Sequence, residues 1–189
     1  SEDENSPIVK GCIIERPKVI FNEKTNKFVM YFHLELKGQG YAAARYGVAV
    51  SDSPTGPFTY LKSSRVNAGH YPLNMSEEEK QSTVQLSDFD SWWTPEWRHA
   101  IEEGVHARHD LEGGQMSRDM TLFVDDDNKA YHIYAAEENL TLNIAELSDD
   151  YLEHTGRYIR VAPGGHNEAP ALFKKDGRYF MITSGCTGW

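Results

Sequence analysis

Short apolar runs alternate with polar turns along most of the chain, and their lengths of three to six residues predict β-strands rather than long helices. The first group of predicted strands lies at 19–21, 28–32, 46–50 and 58–61. The strand at 19–21 is predicted to be short and buried. The same pattern returns after residue 117, with predicted strands at 121–124, 130–134, 142–147 and 158–161. A third copy begins with predicted strands at 171–173 and 179–183.

An acidic residue stands at the start of the first strand of each copy, at Glu15, Asp119 and Glu168. Asp119 and Glu168 are 49 residues apart, and a period near 50 residues with four strands is typical of a β-propeller blade. The sequence therefore predicts an all-β fold of the β-propeller type, with about two and a half blades and one insertion. The predicted boundaries are 11–70 for the first blade, 71–116 for a rim insertion, 117–162 for the next blade and 163–189 for the start of another.

The insertion is predicted to be partly helical. Ser76 and Glu79 have the spacing of a capping box, and Thr94 followed by Pro95 is a typical helix start that leads to a stop at Gly104. The tryptophans of this segment are predicted to form its own small core, with the alternative that one of them is the wall of a sugar subsite. They are Trp92, Trp93 and Trp97. The histidines here match no standard zinc spacing, so no metal site is predicted.

Composition narrows the classes of partner. The net charge of −10 disfavours binding to nucleic acid or to anionic membranes, because both need a basic surface. Aromatic residues make up 12% of the chain, which suits either β structure or a surface that stacks on sugars. No apolar run is long enough for a transmembrane helix. Cys12 and Cys186 are expected to be buried free thiols, with a single disulfide bridge as the alternative.

The three acids suggest a chemistry. The first strand of each propeller blade lines the central axis, so Glu15, Asp119 and Glu168 are predicted to converge at one end of it. Hydrolysis of a glycosidic bond needs one protonated acid that releases the leaving oxygen and a second carboxylate that acts on water or on the sugar. The alternative is that these acids cap strand ends or pair with nearby arginines, namely Arg16, Arg45 and Arg118.

Four motifs taken in order resemble glycoside hydrolase family 43, and in particular its exo-β-1,3-galactanase-like branch. They lie at 15–19 (Glu-Arg-Pro-Lys-Val), 117–121 (Ser-Arg-Asp-Met-Thr), 167–171 (Asn-Glu-Ala-Pro-Ala) and 183–189 (Thr-Ser-Gly-Cys-Thr-Gly-Trp). The resemblance covers 11–70 and 115–189. It implies a five-bladed β-propeller and inverting hydrolysis of O-glycosidic bonds by an exo-galactanase, arabinofuranosidase or xylosidase type of enzyme.

The resemblance also implies roles for the three acids. Glu168 matches the family's general acid, Asp119 matches the aspartate that modulates this acid and orients the substrate, and Glu15 matches the glutamate that holds the sugar near its reacting centre. No segment matches the blade that carries the family's usual base. We therefore expect the base and the missing blades to come from the rest of a longer chain, with partner segments that complete the propeller as the alternative.

The predicted substrate-binding residues are Tyr41, Arg118, His166, Thr187 and Trp189. Thr187 and Trp189 match a pocket-lining segment of the family, and Tyr41 is a looser candidate for stacking on the sugar. For His166 the alternative is that it holds the Gly-rich turn before Glu168 in place.

A carbohydrate is the expected partner, without nucleic acid or membrane insertion. No cofactor is expected, although a structural calcium ion on the propeller axis is possible. The N-terminal residues lack an apolar signal core, yet hydrolases of this kind are usually exported, so a secreted, periplasmic or cell-surface location is expected. Two alternatives to the hydrolase remain at this point: a non-catalytic carbohydrate-binding propeller and a scaffold propeller that binds proteins.

Overall fold

A computed structural model describes residues 1–186 of the chain. Within these residues the strands form two four-stranded antiparallel sheets, with sequential strand order in each, and one two-stranded sheet. The strands are β1 (Ile13–Asn22), β2 (Lys27–Glu35), β3 (Arg45–Ser51), β4 (Thr59–Ser64), β5 (Met120–Val124), β6 (Ala130–Ala136), β7 (Thr141–Leu147), β8 (His154–Val161), β9 (Asn167–Lys175) and β10 (Arg178–Gly185).

Each four-stranded sheet has the up-and-down order of a propeller blade, so the predicted repeat of four strands is confirmed. Strand β5 lies between β1 and β9, which places the first strands of the three sheets side by side. The β9–β10 hairpin turns at Asp176 and Gly177, whose φ angles of 52° and 71° are those of the tight turn that matches strand twist.

The first strand is longer and less buried than predicted. It begins at Ile13 rather than Val19, and the side chains of Val19 and Phe21 are 41% and 40% exposed. Ile20, between them, packs against the core that both four-stranded sheets share. Because successive side chains of a strand point to opposite faces, Val19 and Phe21 face away from that core.

The main core lies between the two four-stranded sheets and is rich in tyrosine. It contains Val29, Tyr31, Tyr46, Val48, Val66, Met120, Ala130, Tyr134, Ala136, Ala145, Leu147, Tyr151 and Tyr158. The hydroxyl groups of its tyrosines mostly reach backbone carbonyls. Tyr31, for example, donates to the carbonyl oxygen of Tyr151 at 3.0 Å and so connects the two sheets.

Two histidines lie in this interface, His132 completely buried and His154 partly buried. The Nδ1 of His132 is 3.0 Å from the Nε2 of His154, and Tyr31 and Tyr46 pack against both rings. Burial lowers the pKa of His154 to about 3, and burial together with the neighbouring His154 lowers the pKa of His132 well below its usual value. The pair is therefore neutral in the folded protein at ordinary pH.

We expect the free energy of unfolding to fall as the pH drops below about 6.5, because each histidine then takes up a proton in the unfolded chain but not in the folded one. The contribution is fully present above this pH and is lost towards pH 3. Its slope is at most about 1.4 kcal/mol per pH unit for each histidine. Urea unfolding at pH 7, 6 and 5 measures it, and the variant H154F should show a shallower dependence. Equal slopes for wild type and H154F would contradict the prediction.

The segment between β4 and β5 forms the insertion. Its helices are α1 (Glu77–Gln81), α2 (Pro95–Glu102) and α3 (Val105–His109), with a single 3-10 turn at Leu86–Asp88. The predicted helix starts are confirmed, since Ser76 forms a capping box with Glu79 and the Thr94 side chain caps α2. Within residues 1–186, no helix is long and apolar enough to cross a bilayer.

The insertion has its own core, as predicted, but not from all three tryptophans. Trp97 is buried with Ala100, Ile101, Val105 and Leu140. Trp92 and Trp93 are each 55% exposed and lie against the ring of Trp97 at centroid distances of 5.4 and 5.1 Å. The prediction is right for Trp97 and wrong for its two neighbours, because a short helix covers only one indole.

A buried ion pair joins the insertion to the second four-stranded sheet. The guanidinium of Arg160 on β8 donates to both carboxylate oxygens of Glu137, at 2.6 and 2.8 Å. It also donates to the carbonyl oxygens of Ile101 and Glu102 at the end of α2, at 2.5 and 3.0 Å. Glu137 is completely buried, so Arg160 both neutralises this carboxylate and caps the helix.

Candidate active site

One cavity of about 580 Å³ contains all three predicted acids. Its walls come from β1, from the loop after β2, from the start of β5, from the β6–β7 turn and from β9. The lining residues are Ile14, Glu15, Arg16, Pro17, His33, Tyr41, Arg118, Asp119, Asn139 and Glu168. The predicted convergence of acids at one end of the first strands is thus present, with Tyr41 and Arg118 beside them. The cavity has the size of a small-molecule site.

Matching β-bulges carry Glu15 and Glu168. The register of β1 against β2 shifts between Glu15 and Lys18, and that of β9 against β10 shifts between Glu168 and Ala171, with one extra residue in each first strand. The residue after each glutamate has a left-handed backbone, with φ of 54° at Arg16 and 46° at Ala169. A bulge re-aims a side chain, and here the repeated Glu-x-Pro sequence turns both carboxylates into the same cavity.

Asp119 lies immediately before β5 and links the neighbouring strands. Its Oδ1 accepts a hydrogen bond from the Nε of Arg16 at 2.7 Å, and its Oδ2 accepts one from the backbone N–H of Ala169 at 3.1 Å. The predicted alternative of arginine pairing is therefore correct for Asp119. The pairing does not remove Asp119 from the cavity, since Arg16 lines the same space.

Glu168 is held by a side chain that the sequence reasoning missed. The amide nitrogen of Asn139 donates to Glu168 Oε1 at 2.8 Å. Asn139 ends a run of three left-handed non-glycine residues with Glu137 and Glu138, at φ of 52°, 55° and 65°. Such a run is costly, and strained backbone of this kind concentrates at functional sites. The polar Glu-Glu-Asn turn was the available signal.

Cys186 is a neighbour of Glu168. Burial, followed by the influence of the Glu168 carboxylate, raises the pKa of the Cys186 thiol to about 12, so the sulfur stays protonated. Cys12 and Cys186 are both free, as predicted. Cys186 is therefore a neutral thiol rather than a reactive thiolate.

Glu15 accepts a hydrogen bond from Tyr41 and has His33 close to its other carboxylate oxygen. The hydroxyl of Tyr41 donates to Glu15 Oε1 at 3.0 Å, and this hydrogen bond raises the pKa of Tyr41. The Nδ1 of the buried His33 lies 3.4 Å from Glu15 Oε2. The guanidinium of Arg118 donates to the Tyr41 carbonyl at 3.1 Å and to Glu138 at 2.7 Å, so Arg118 fixes the loop that carries Tyr41.

The remaining predicted binding residues are His166, Thr187 and Trp189. His166 does not line the cavity. Its backbone N–H donates to the carbonyl of Leu140 and its own carbonyl accepts from Cys186, while its ring lies 5.1 Å from that of Trp93. These contacts favour the alternative that His166 holds the turn before Glu168. Thr187 and Trp189 lie outside the described residues.

The comparisons with known proteins agree with this geometry. The model of glycosyl hydrolases family 43 matches residues 97–188. A solved structure of a family 43 β-1,3-galactosidase with galactodeoxynojirimycin is 66% identical, with a TM-score of 0.98 over 100% of this chain and 55% of that chain. The chain is thus similar to glycosyl hydrolase family 43. It is part of a five-bladed β-propeller, and it spans about half the length of that galactosidase.

Other solved structures are similar to this chain at lower sequence identity. An exo-β-1,3-galactanase from Clostridium thermocellum is 37% identical, with a TM-score of 0.70 over 97% of this chain and 32% of that one. An exo-β-1,3-galactanase from Phanerochaete chrysosporium with galactose is 29% identical, with a TM-score of 0.67 over 98% and 33%. The comparison with curated protein sequences found no match.

Metal-ligating side chains do not gather at one place in the part of the chain that the structure describes. Among residues 1–186, no group of three or more His, Cys, Asp or Glu side chains is arranged to hold a metal ion. The three acids of the cavity instead have hydrogen-bond donors as neighbours, from Arg16, Tyr41 and Asn139.

Proposed function

We propose that the protein containing this chain is a glycoside hydrolase that removes galactose from the ends of β-1,3-linked galactan or galacto-oligosaccharides with inversion of configuration. The observation that carries the proposal is the convergence of Glu15, Asp119 and Glu168 in one cavity. The similarity to the β-1,3-galactosidase and exo-β-1,3-galactanase structures, with the match to the family 43 model, supports the choice of galactose as the sugar.

In this proposal Glu168 donates a proton to the oxygen of the leaving sugar. Asn139 donates a hydrogen bond to its carboxyl group and so fixes its orientation. Asp119 aligns the bulge that carries Glu168, because it accepts the N–H of the next residue, Ala169, while Arg16 balances its charge. The group that activates water is proposed to come from a blade outside this chain.

Glu15 and Tyr41 are proposed to hold the terminal sugar. The Tyr41 ring is 49% exposed at the cavity wall, and its hydroxyl is already directed at Glu15. An aromatic ring can cover an apolar face of a sugar while a carboxylate accepts hydrogen bonds from its hydroxyl groups. The net charge of −10 is compatible with a neutral substrate of this kind.

Two further proposals concern the whole protein. The remaining blades are proposed to come from the rest of the same polypeptide and to complete the cavity. Because galactan is a polymer too large to enter a cell freely, the protein is proposed to act outside the cytoplasm, which fractionation with a specific antibody would test.

We expect the full-length protein to release α-galactose as the first product from β-1,3-galactobiose, because an inverting enzyme places water on the face opposite the leaving group. Proton NMR of the anomeric signals during the first minutes of reaction measures this outcome. β-1,4-Galactobiose is the matched control for linkage, and arabino- and xylo-oligosaccharides are the controls for the sugar.

Initial release of β-galactose would contradict inversion. Calorimetric binding of β-1,3-galactobiose without turnover would instead favour a carbohydrate-binding propeller. The absence of both binding and turnover would overturn the proposed function.

A further inference from the structure

A buried glutamate and histidine lie directly behind Glu15. Glu35, at the end of β2, is completely buried, and His33 is 2% exposed. Glu35 Oε1 is 2.8 Å from His33 Nε2, and Glu35 Oε2 accepts the backbone N–H of Ala44 at 2.9 Å. On its other side, His33 Nδ1 lies 3.4 Å from Glu15 Oε2. The three side chains therefore form a row that runs from the protein interior into the cavity.

The second four-stranded sheet has a buried glutamate, Glu137, that can be compared with Glu35 of the first. Glu15 pairs with His33 across β1 and β2, and Asp119 is hydrogen-bonded to the backbone of Ala135. Glu35 lies two residues after His33, and Glu137 lies two residues after Ala135, so the two glutamates occupy corresponding positions. Both are completely buried.

The two glutamates have different counter-charges. Arg160 gives Glu137 a permanent cation. Within residues 1–186, Glu35 has no ion pair with lysine or arginine, and only His33 is placed to balance it. His33, which balances the charge of Glu35, can lose its proton, unlike Arg160. His33 also faces the candidate sugar site.

The geometry constrains where protons sit. Each ring nitrogen of His33 has a carboxylate oxygen nearby. Nε2 is hydrogen-bonded to Glu35, whereas the buried Nδ1 lies 3.4 Å from Glu15 Oε2 and makes no hydrogen bond. A neutral imidazole has only one N–H. Its second nitrogen would direct a lone pair at a carboxylate, which is repulsive. Glu35 already accepts the Ala44 N–H and Glu15 already accepts the Tyr41 hydroxyl, and such hydrogen bonds favour ionised carboxylates. A second proton on the imidazole would remove this repulsion and give each carboxylate a donor.

We propose that Glu35 keeps His33 doubly protonated and that the resulting imidazolium positions Glu15 for the sugar. His33 and Glu35 are positioning residues, because they act through Glu15. The proposal deepens the proposed function and rests on it. The charged or titratable groups that face this row from other elements are Tyr41 and Arg118, with Asp119 and Arg16 across the cavity.

Three conservative variants of the full-length protein separate the roles. H33N keeps a donor near the Nδ1 position, H33Q keeps one near the Nε2 position, and E35Q keeps the shape of Glu35 without its charge. At pH 7 we expect each variant to lower kcat/KM for β-1,3-galactobiose by about tenfold, the loss expected for a hydrogen bond to a charged group. H33Q should lose more than H33N, because only H33N retains a donor for Glu15.

The pH profile gives the readout that a purely structural role would not move. The deficit of E35Q should shrink at pH 5.5, where the histidine regains its proton, whereas the deficit of H33N should not change with pH. The double variant H33N/E35Q should match H33N alone, because Glu35 acts through His33. H132N is the control, since it makes the same change at a buried histidine between the sheets and should leave the profile unmoved. An E35Q deficit that is equal at all pH values would overturn the proposal.

A second measurement does not depend on turnover. Long-range ¹H–¹⁵N NMR of the histidine rings, with His33 assigned by the signal lost in H33N, reports the protons on both nitrogens. We expect two protonated nitrogens in the wild type at pH 7.5 and one in E35Q. A singly protonated His33 in the wild type would overturn the proposal, even in a protein that hydrolyses galactan. Doubly protonated His33 in a protein without turnover would leave the inference standing and remove only the proposed function.

Discussion

Replacing Glu168 with glutamine is expected to lower kcat for β-1,3-galactobiose about a thousandfold, the usual range for loss of a general acid. Glutamine keeps the size of the side chain and can still meet Asn139, but it has no proton to give to the leaving oxygen. The loss should be much smaller for an aryl galactoside with an acidic phenol, since that leaving group departs without protonation. Initial rates on both substrates in the full-length protein measure the contrast.

The control for this prediction is D176N. Asp176 lies in the turn of the same β9–β10 hairpin and outside the cavity, and the change is also an acid to its amide. It should leave both rates within about twofold, as surface substitutions usually have small effects. Full activity of E168Q on the disaccharide would exclude Glu168 as the proton donor, and equal losses on both substrates would indicate a binding role instead.

The second large effect is expected for stability. Replacing Arg160 with methionine should lower the free energy of unfolding by about 3–5 kcal/mol, because it leaves the carboxylate of Glu137 buried without a counter-charge. It also removes the donor for the carbonyls at the end of α2. Denaturant unfolding followed by tryptophan fluorescence is suited to this, since Trp97 is buried in the insertion core.

The matched control is R157M on the same strand. Arg157 is 62% exposed and its Nε lies 3.7 Å from Glu146, so its removal should cost less than about 1 kcal/mol. The double variant R160M/E137Q should recover part of the lost stability, because no buried charge remains. Equal stabilities of R160M and R157M would show that the buried pair contributes nothing beyond an exposed one.

The repeated strands and the helix caps of the insertion could be predicted because they depend on local patterns. The Ser76 capping box, the Thr94 cap and the turn at Asp176 each lie within a few residues, and alternation along the chain reports burial on one face. The length of β1 escaped prediction since residues 13–18 are mixed in polarity and are ordered by their pairing with β2.

The three acids of the cavity could be found because they recur at the same place in each copy. Their supports could not be found, because they are contacts between distant parts of the chain. Asn139 meets Glu168 across 29 residues, and Arg16 meets Asp119 across 103. Glu35 and Glu137 are visible in the sequence as a glutamate at the end of the second strand of both copies. Their different roles could not be predicted, because these depend on which cation the fold places beside each glutamate.

The hydrogen bonds of Asp119 have a consequence for how such a site can change in evolution or by design. Its carboxylate belongs to one sheet, pairs with Arg16 of a second and accepts the N–H of Ala169 in a third. The proton donor therefore takes its alignment from three repeats at once. A single repeat that is transplanted into another propeller would bring its acid but not the contacts that align it. New specificities are therefore more accessible by changes in the loops around the cavity than by exchange of whole repeats.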